Sequence, residues 1–262
     1  TYTVELLAKQ MAASRLSGNG LKELFLSGLK NASESVHGRD GSGNAFDHIC
    51  AVFSTSGLSD PEQQLLRVLA LLGAGGVSLA RLREWAALDD LNALNALIDK
   101  GWVREERKGV AALHPIVREV VLDKLRPGVE NCRSVIKRVA DFAFMAWFRP
   151  YGENLEVSEN VLTMLLLLLP SGADIPEELE TLGSFLWQTA RFENSIACMK
   201  KLYDLCRDRY GEHSVVTGFV AKSLGGCYFN SSRLPDAAEW YRKGLAHMLD
   251  SGAGESEDLA MA

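Results

Sequence analysis

The sequence has no C-x-x-C pair, no zinc-ligand spacing and no dense cysteine framework. Its five cysteines, Cys50, Cys132, Cys198, Cys206 and Cys227, are scattered. This excludes a disulfide-stapled secreted scaffold and points to a reducing cytoplasm. Nor is there an excess of positive charge: the net charge of -6 gives no general support for nucleic-acid binding. No apolar run is long enough to span a bilayer, because the longest, Val161–Leu169, stops at Pro170, so no membrane is expected. No basic n-region or signal h-region opens the chain. It begins Thr1-Tyr2-Thr3, without an initiator Met and inside an apolar helical pattern, which reads as a fragment of something longer.

Motifs of catalysis are missing as well. G-x-x-x-x-G-K-[ST], G-x-S-x-G and H-E-x-x-H do not occur, and His37, His48, His114, His213 and His247 are scattered. The reading is therefore no catalytic residue, no metal site and no enzyme within this chain.

What remains is helical punctuation. Apolar spacing predicts helices over Thr3–Ser14, Leu21–Leu29 and Ala45–Phe53, with a polar loop from Ser33 to Asn44. Ser59-Asp60-Pro61 is a strong helix start: Ser59 or Asp60 can cap, and Pro61 suits the first position. That helix carries Leu65, Leu66, Leu69 and Leu72 to Gly73. Ser78 opens a second, with Leu79, Leu82 and Trp85 inward. Asp89 opens a third, with Leu91, Leu94, Leu97 and Ile98 inward, ending at Gly101. Trp102–Arg104 and Val110–Leu113 read as a hairpin around Arg107-Lys108-Gly109. A helix from Ile116 to Leu125 closes the segment. Three helices and a hairpin make a winged-helix arrangement, expected over 58–128.

His114 opens that closing helix, with Pro115 at a position that needs no N–H. On spacing alone the ring reads either as a structural helix cap or as a group at an anion-attracting helix N-terminus.

Two long helices follow, Cys132–Phe148 and Leu155–Leu169, and then an internal repeat. Leu182-Gly183 recurs as Leu224-Gly225, Arg191-Phe192-Glu193 as Arg233-Leu234-Pro235, Ser195 as Ala237 and Met199 as Tyr241. The offset is about 42, longer than the ~34 of tetratricopeptide repeats. Small residues at 195 and 237 are expected to let paired helices approach. Bulky ones at 199 and 241 are expected to fill the gap to the next repeat. Stacking over 129–262 is expected, because one helix pair cannot bury its own apolar faces. Two repeats are fewer than a stable array needs, so they lean on the preceding helices or continue beyond Ala262. Glu255-Ser256-Glu257-Asp258 can cap a further helix or fray. Trp187, Tyr228, Phe229 and Trp240 are the candidate ligand-binding face; at helical spacing such residues are more often core between repeats.

Leu113-His114-Pro115-Ile116-Val117-Arg118-Glu119-Val120 resembles the Met-His-Asp-type motif that ends the winged helix of NB-ARC/STAND nucleotide-binding proteins. Thr3-Val4-Glu5-Leu6-Leu7-Ala8 is similar to the segment after the Gly-x-Pro element of their helical lid, which would make 1–57 a lid remnant. The repeats resemble long tetratricopeptide repeats of the kinesin light chain type, whose linker Tyr210-Gly211-Glu212-His213-Ser214 matches. The resemblance implies a mostly α-helical chain, a winged helix followed by an α-solenoid of tetratricopeptide-like pairs. It implies the regulatory and sensor part of a cytoplasmic signalling ATPase. In such proteins the motif His contacts the β-phosphate of ADP and clamps the resting state. A protein or peptide ligand on the repeats, or exchange of ADP for ATP, then loosens the clamp and permits oligomerisation. His114 alone carries over as a nucleotide contact. The Walker segments would sit in an upstream nucleotide-binding domain, so no cofactor is expected on this chain, and Pro115 replaces the motif Asp.

Two alternatives stay open. One is a DNA-binding winged helix. The third helix, however, offers only Asn92, Asn95 and Lys100 behind an acidic start, and the wing mixes Arg104, Arg107 and Lys108 with Glu105 and Glu106. The other is a plain tetratricopeptide scaffold.

Overall fold

The computed structural model describes residues 57–146, 148 and 151–251. The expected lid remnant, apart from Gly57, and the acidic tail at 255–258 lie outside the described residues. The chain folds as two compact units that part between Pro127 and Gly128. No helix among the described residues is long and apolar enough to cross a membrane.

The first unit runs α1 (Asp60–Leu72), β1 (Val77–Ser78), α2 (Leu79–Trp85), α3 (Asn92–Asp99), β2 (Val103–Arg107), β3 (Val110–Leu113) and α4 (Pro115–Leu125). α1 begins as its sequence dictates, with Ser59 at the cap and Pro61 in the first turn. The Glu62 carboxylate accepts from the Ser59 amide at 2.7 Å and from the Ser59 hydroxyl at 3.0 Å. Its other oxygen accepts from Lys100 Nζ, just beyond α3, at 2.7 Å. α3 starts later than Asp89 suggests. Asp90 takes the Asn92 amide at 2.9 Å, so the chain turns helical two residues past the second aspartate.

The sheet is antiparallel with β3 in the centre, in the order β1-β3-β2. The β2–β3 hairpin follows the sequence, but β2 runs on to Arg107 through a bulge between Glu105 and Arg107. The third strand was not expected. At two residues, β1 is too short to show alternation, and it pairs Val77 with Ala111 and Ser78 with Val110. Gly76, at φ +83°, leads into it; a Cβ there would stand 2.8 Å from Val110 Cγ1 and 3.0 Å from the Ala111 carbonyl oxygen. Leu66, Leu69, Leu82, Trp85, Leu97 and Leu113 are fully buried between helices and sheet. Each such side chain contributes roughly 1.5–3 kcal/mol. Two arginines tie α1 to α4: Arg118 Nε donates to the Ala70 carbonyl at 3.0 Å, and Arg67 Nε to that of Leu125 at 3.1 Å.

The second unit is helical among its described residues: α5 (Val129–Ala146), α6 (Tyr151–Leu168), a 3-10 turn (Leu169–Ser171), α7 (Pro176–Gln188), α8 (Phe192–Tyr210), α9 (Val215–Asn230) and α10 (Leu234–Asp250). α5 starts three residues before the expected point, where Asn131 Oδ1 accepts the Gly128 amide at 2.9 Å, and α6 starts four residues before its own. Neighbouring helices pack against one another, and α5 also packs against α7.

The repeat is visible in how helices touch. Ser195 and Ala237 are buried where paired helices cross, and Ser195 Oγ donates to the Gly183 carbonyl at 2.8 Å. Met199 and Tyr241 do more than the expectation gave them. They lie over the glycine of their own pair and also line the cavity between the pairs. A Cβ on Gly183 would meet Met199 Cε at 2.9 Å, and one on Gly225 would meet Tyr241 Cδ1 at 2.8 Å. The glycine leaves a hollow that the bulky partner fills, so leucine-glycine in one helix and a large side chain in the next form one contact. The linker is set by Gly211 at φ +87° and by Ser214, whose hydroxyl accepts the Thr217 amide at 3.1 Å.

Candidate functional site

His114 sits between β3 and α4 as the cap of α4. Its Nδ1 accepts the Ile116 amide at 3.3 Å, with Pro115 next in line. Burial pushes its pKa below the ordinary value, and the nearby Arg104 guanidinium pushes the same way against the weaker pull of Glu106. A neutral ring is what an accepting Nδ1 requires, and it leaves the ring proton on Nε2. One nitrogen of the candidate nucleotide contact is thus engaged by the helix that it opens.

The four aromatic candidates of the second unit do not share a face. Tyr228 is buried; Arg233 stands 4.6 Å and Lys200 5.6 Å from its ring centre, so it belongs to the interior between pairs. Trp240 packs edge-on against Tyr203 at 5.1 Å, under Lys243. Phe229 is exposed at the far end of α9. Trp187 lines a cavity.

That cavity, of about 370 Å³, opens between the pairs. Trp187 and Ser184 come to it from α7, and Phe219, Lys222, Ser223 and Gly226 from α9. Met199 and Tyr241 close its floor from the second helices. A second cavity, of about 400 Å³, lies between α5 and α7. Phe144 and Phe148 stand on one side of it, 62% and 75% exposed, and Glu180, Thr181, Phe185 and Gln188 on the other. Ser184 lines both cavities, which flank α7 on either side and leave a groove there. Each is large enough for one or two side chains, at the small end of ligand pockets.

The sequence reading missed Phe219, Lys222 and Tyr241, and it missed α5 as a wall. A signal was present. The groove positions Glu180, Thr181 and Ser184 of α7 fall, at the repeat offset, on Lys222, Ser223 and Gly226 of α9. A single face thus recurs in both first helices, small at its floor and charged at its rim. Among the described residues, no group of three or more His, Cys, Asp or Glu side chains is arranged to hold a metal.

Comparison with curated proteins and with solved structures returns no match. The tetratricopeptide repeat family does match, over residues 177–250, which spans α7 to α10 and the α7–α9 half of the groove. Those two helix pairs are tetratricopeptide repeats.

Proposed function

We propose that this chain is a protein-interaction chain whose groove along α7 takes an extended peptide segment of a partner protein. The observation that carries the reading is the pair of adjacent, mostly apolar cavities with exposed aromatic walls, beside or within a segment that matches a repeat family suited to protein ligands. The role is binding rather than catalysis. To test it, random twelve-residue peptides displayed on phage are panned on the full chain and on its Trp187→Ala variant. Trp187 is 36% exposed, so its truncation leaves the fold intact, which a circular-dichroism melt checks. Enrichment on the wild type that fades on the variant supports the reading; no enrichment on the wild type overturns it.

A second reading builds on the first unit. Its element order, with a β1-β3-β2 sheet and a closing helix headed by His114, favours a winged helix followed by repeats. On that reading the chain is the sensor part of a STAND-type switch in a longer cytoplasmic protein, which holds ADP or ATP in an upstream domain and oligomerises on activation. His114 then serves both as cap and as phosphate contact. Nucleotide released on denaturing the whole protein tests this, with His114→Asn beside His114→Ala. Asn keeps the cap, so loss of ADP in both variants marks a nucleotide contact, and loss in Ala alone marks a structural one. No ADP in the wild type removes the reading.

The DNA-binding alternative has less support. Lys100 is drawn to Glu62, and the exposed side chains of α3 are Asn92, Asn95 and Asp99. That face carries no cation for phosphate.

A further inference from the structure

One wall of the cavity between α5 and α7 is a polar ladder. Glu180, Ser184 and Gln188 follow at one-turn steps along α7, and all three line that cavity. Facing them are the exposed rings of Phe144, on α5, and Phe148, just past its end. Helical serines and threonines commonly bond back to a carbonyl one turn earlier. Thr181 and Thr189 do so, donating to the Glu177 and Phe185 carbonyls at 3.1 and 3.0 Å. Among the described residues, the side chains of Glu180, Ser184 and Gln188 take no such hydrogen bond and no ion pair. Inside the unit the Glu180 carboxylate acts on Cys206 of α8, a thiol whose pKa burial and then this carboxylate push up, so it stays neutral. Arg209, the cation that acts on the same thiol, is taken by Asp174 at 2.9 Å. One cavity thus has an apolar wall, and facing it two uncommitted hydrogen-bonding side chains and an uncompensated carboxylate.

We infer that this cavity holds an extended peptide by its main chain, through Ser184 and Gln188, and selects a Lys or Arg for Glu180 beside one large apolar residue seated against Phe144 and Phe148. This rests on the peptide-binding reading of the groove. The rungs suit a strand. Four helical residues rise about 6 Å, and two extended residues advance about 6.6–6.8 Å. A strand laid along α7 therefore turns a main-chain N–H or C=O toward each rung, on alternate residues. From Glu180 to Gln188 is about 12 Å, the reach of about four extended residues. Cation and anchor therefore lie within four residues of each other in the ligand. The anchor supplies affinity because it is desolvated, and the carboxylate supplies selection because an acidic residue there meets repulsion.

The test reads the charge, the apolar wall and the ladder separately. The same random twelve-residue phage library is panned on three full chains: wild type, Glu180→Lys and Phe148→Ser. Both positions are exposed, so the fold is kept, and a melt of each variant checks it. The wild type is expected to enrich peptides with a Lys or Arg within four residues of a large apolar residue. Glu180→Lys is expected to enrich an Asp or Glu in its place, and Phe148→Ser to lose the class. An enriched peptide is then synthesised with each amide N-methylated in turn. Binding to the wild type is expected to fall roughly ten-fold at alternate positions. One of those losses is expected to vanish on Gln188→Ala, because the partner is already gone. If either panned variant enriches the same class as the wild type, or no loss depends on Gln188, the inference falls and the peptide-binding reading stands. If the wild type enriches no peptide, both fall.

Discussion

Glu62 is a carboxylate almost out of reach of water. Burial pushes its pKa up, but hydrogen bonds from Lys100 and from the Ser59 amide and hydroxyl outweigh this and hold it below its ordinary value of 4.5. The folded chain therefore prefers the ionised form more strongly than the unfolded chain does. Its contribution is fully present above about pH 4.5 and is lost as pH falls through the folded value. Glu62→Gln is expected to cost about 1–2 kcal/mol at pH 7, with the gap to wild type closing as pH falls below 4.5; urea titrations from neutral to acid pH check it. Half of this arrangement is legible in the sequence. Ser59, Asp60 and Pro61 announce a helix start by local rules. Lys100 does not, because it reaches Glu62 from 38 residues away, and nothing in its neighbourhood marks it as an ion-pair partner rather than a surface cation.

At the scale of elements, a glycine decides how close two helices come. Gly225→Ala puts a Cβ at 2.8 Å from Cδ1 of the Tyr241 ring and is expected to destabilise the second unit by about 1–3 kcal/mol. The adjacent Gly226→Ala meets only the Tyr241 hydroxyl, at 3.6 Å, so it gains helix propensity of about 0.5–1 kcal/mol. Opposite shifts in the urea midpoint of neighbouring glycines are the expected result; shifts of the same sign would count against this contact. The repeat that carries these positions is plain in the sequence, since leucine-glycine and the arginine pair recur at one offset. Two elements are not plain. β1 is two residues held by Gly76 against β3, and pairing at that range leaves no periodic trace. α5 is readable as a helix but not as a groove wall. Phe144 and Phe148 look like any apolar positions of an amphipathic helix until α7 is set beside them. His114 shows the opposite case. The Pro that follows it marks a helix start, so its capping role is written locally, whereas a contact with anything outside the chain would leave no such mark.

For the whole molecule, the division between Pro127 and Gly128 separates two cores, each closed by its own helices. The first is built on Trp85, Leu66 and Leu113, the second on Ile136, Met164 and Leu165. Residues 57–127 and 128–251, expressed apart, are each expected to unfold in one cooperative step, with urea slopes of roughly 1–2 kcal/mol/M for chains of this size. A fragment that lacks a cooperative transition by circular dichroism would show that its core needs more chain.

The position of Trp187 has an optical consequence. Trp85 and Trp102 are 0% and 4% exposed in the first unit, so their emission is shielded from water and from anything that enters the groove. Trp187, at the mouth of the groove, faces solvent. A guest that settles there strips water from the indole and shifts its emission toward the blue, a change superposed on the emission of the other four tryptophans. The protein thus carries its own fluorescent gauge of occupancy, read without a label as the difference from Trp187→Phe.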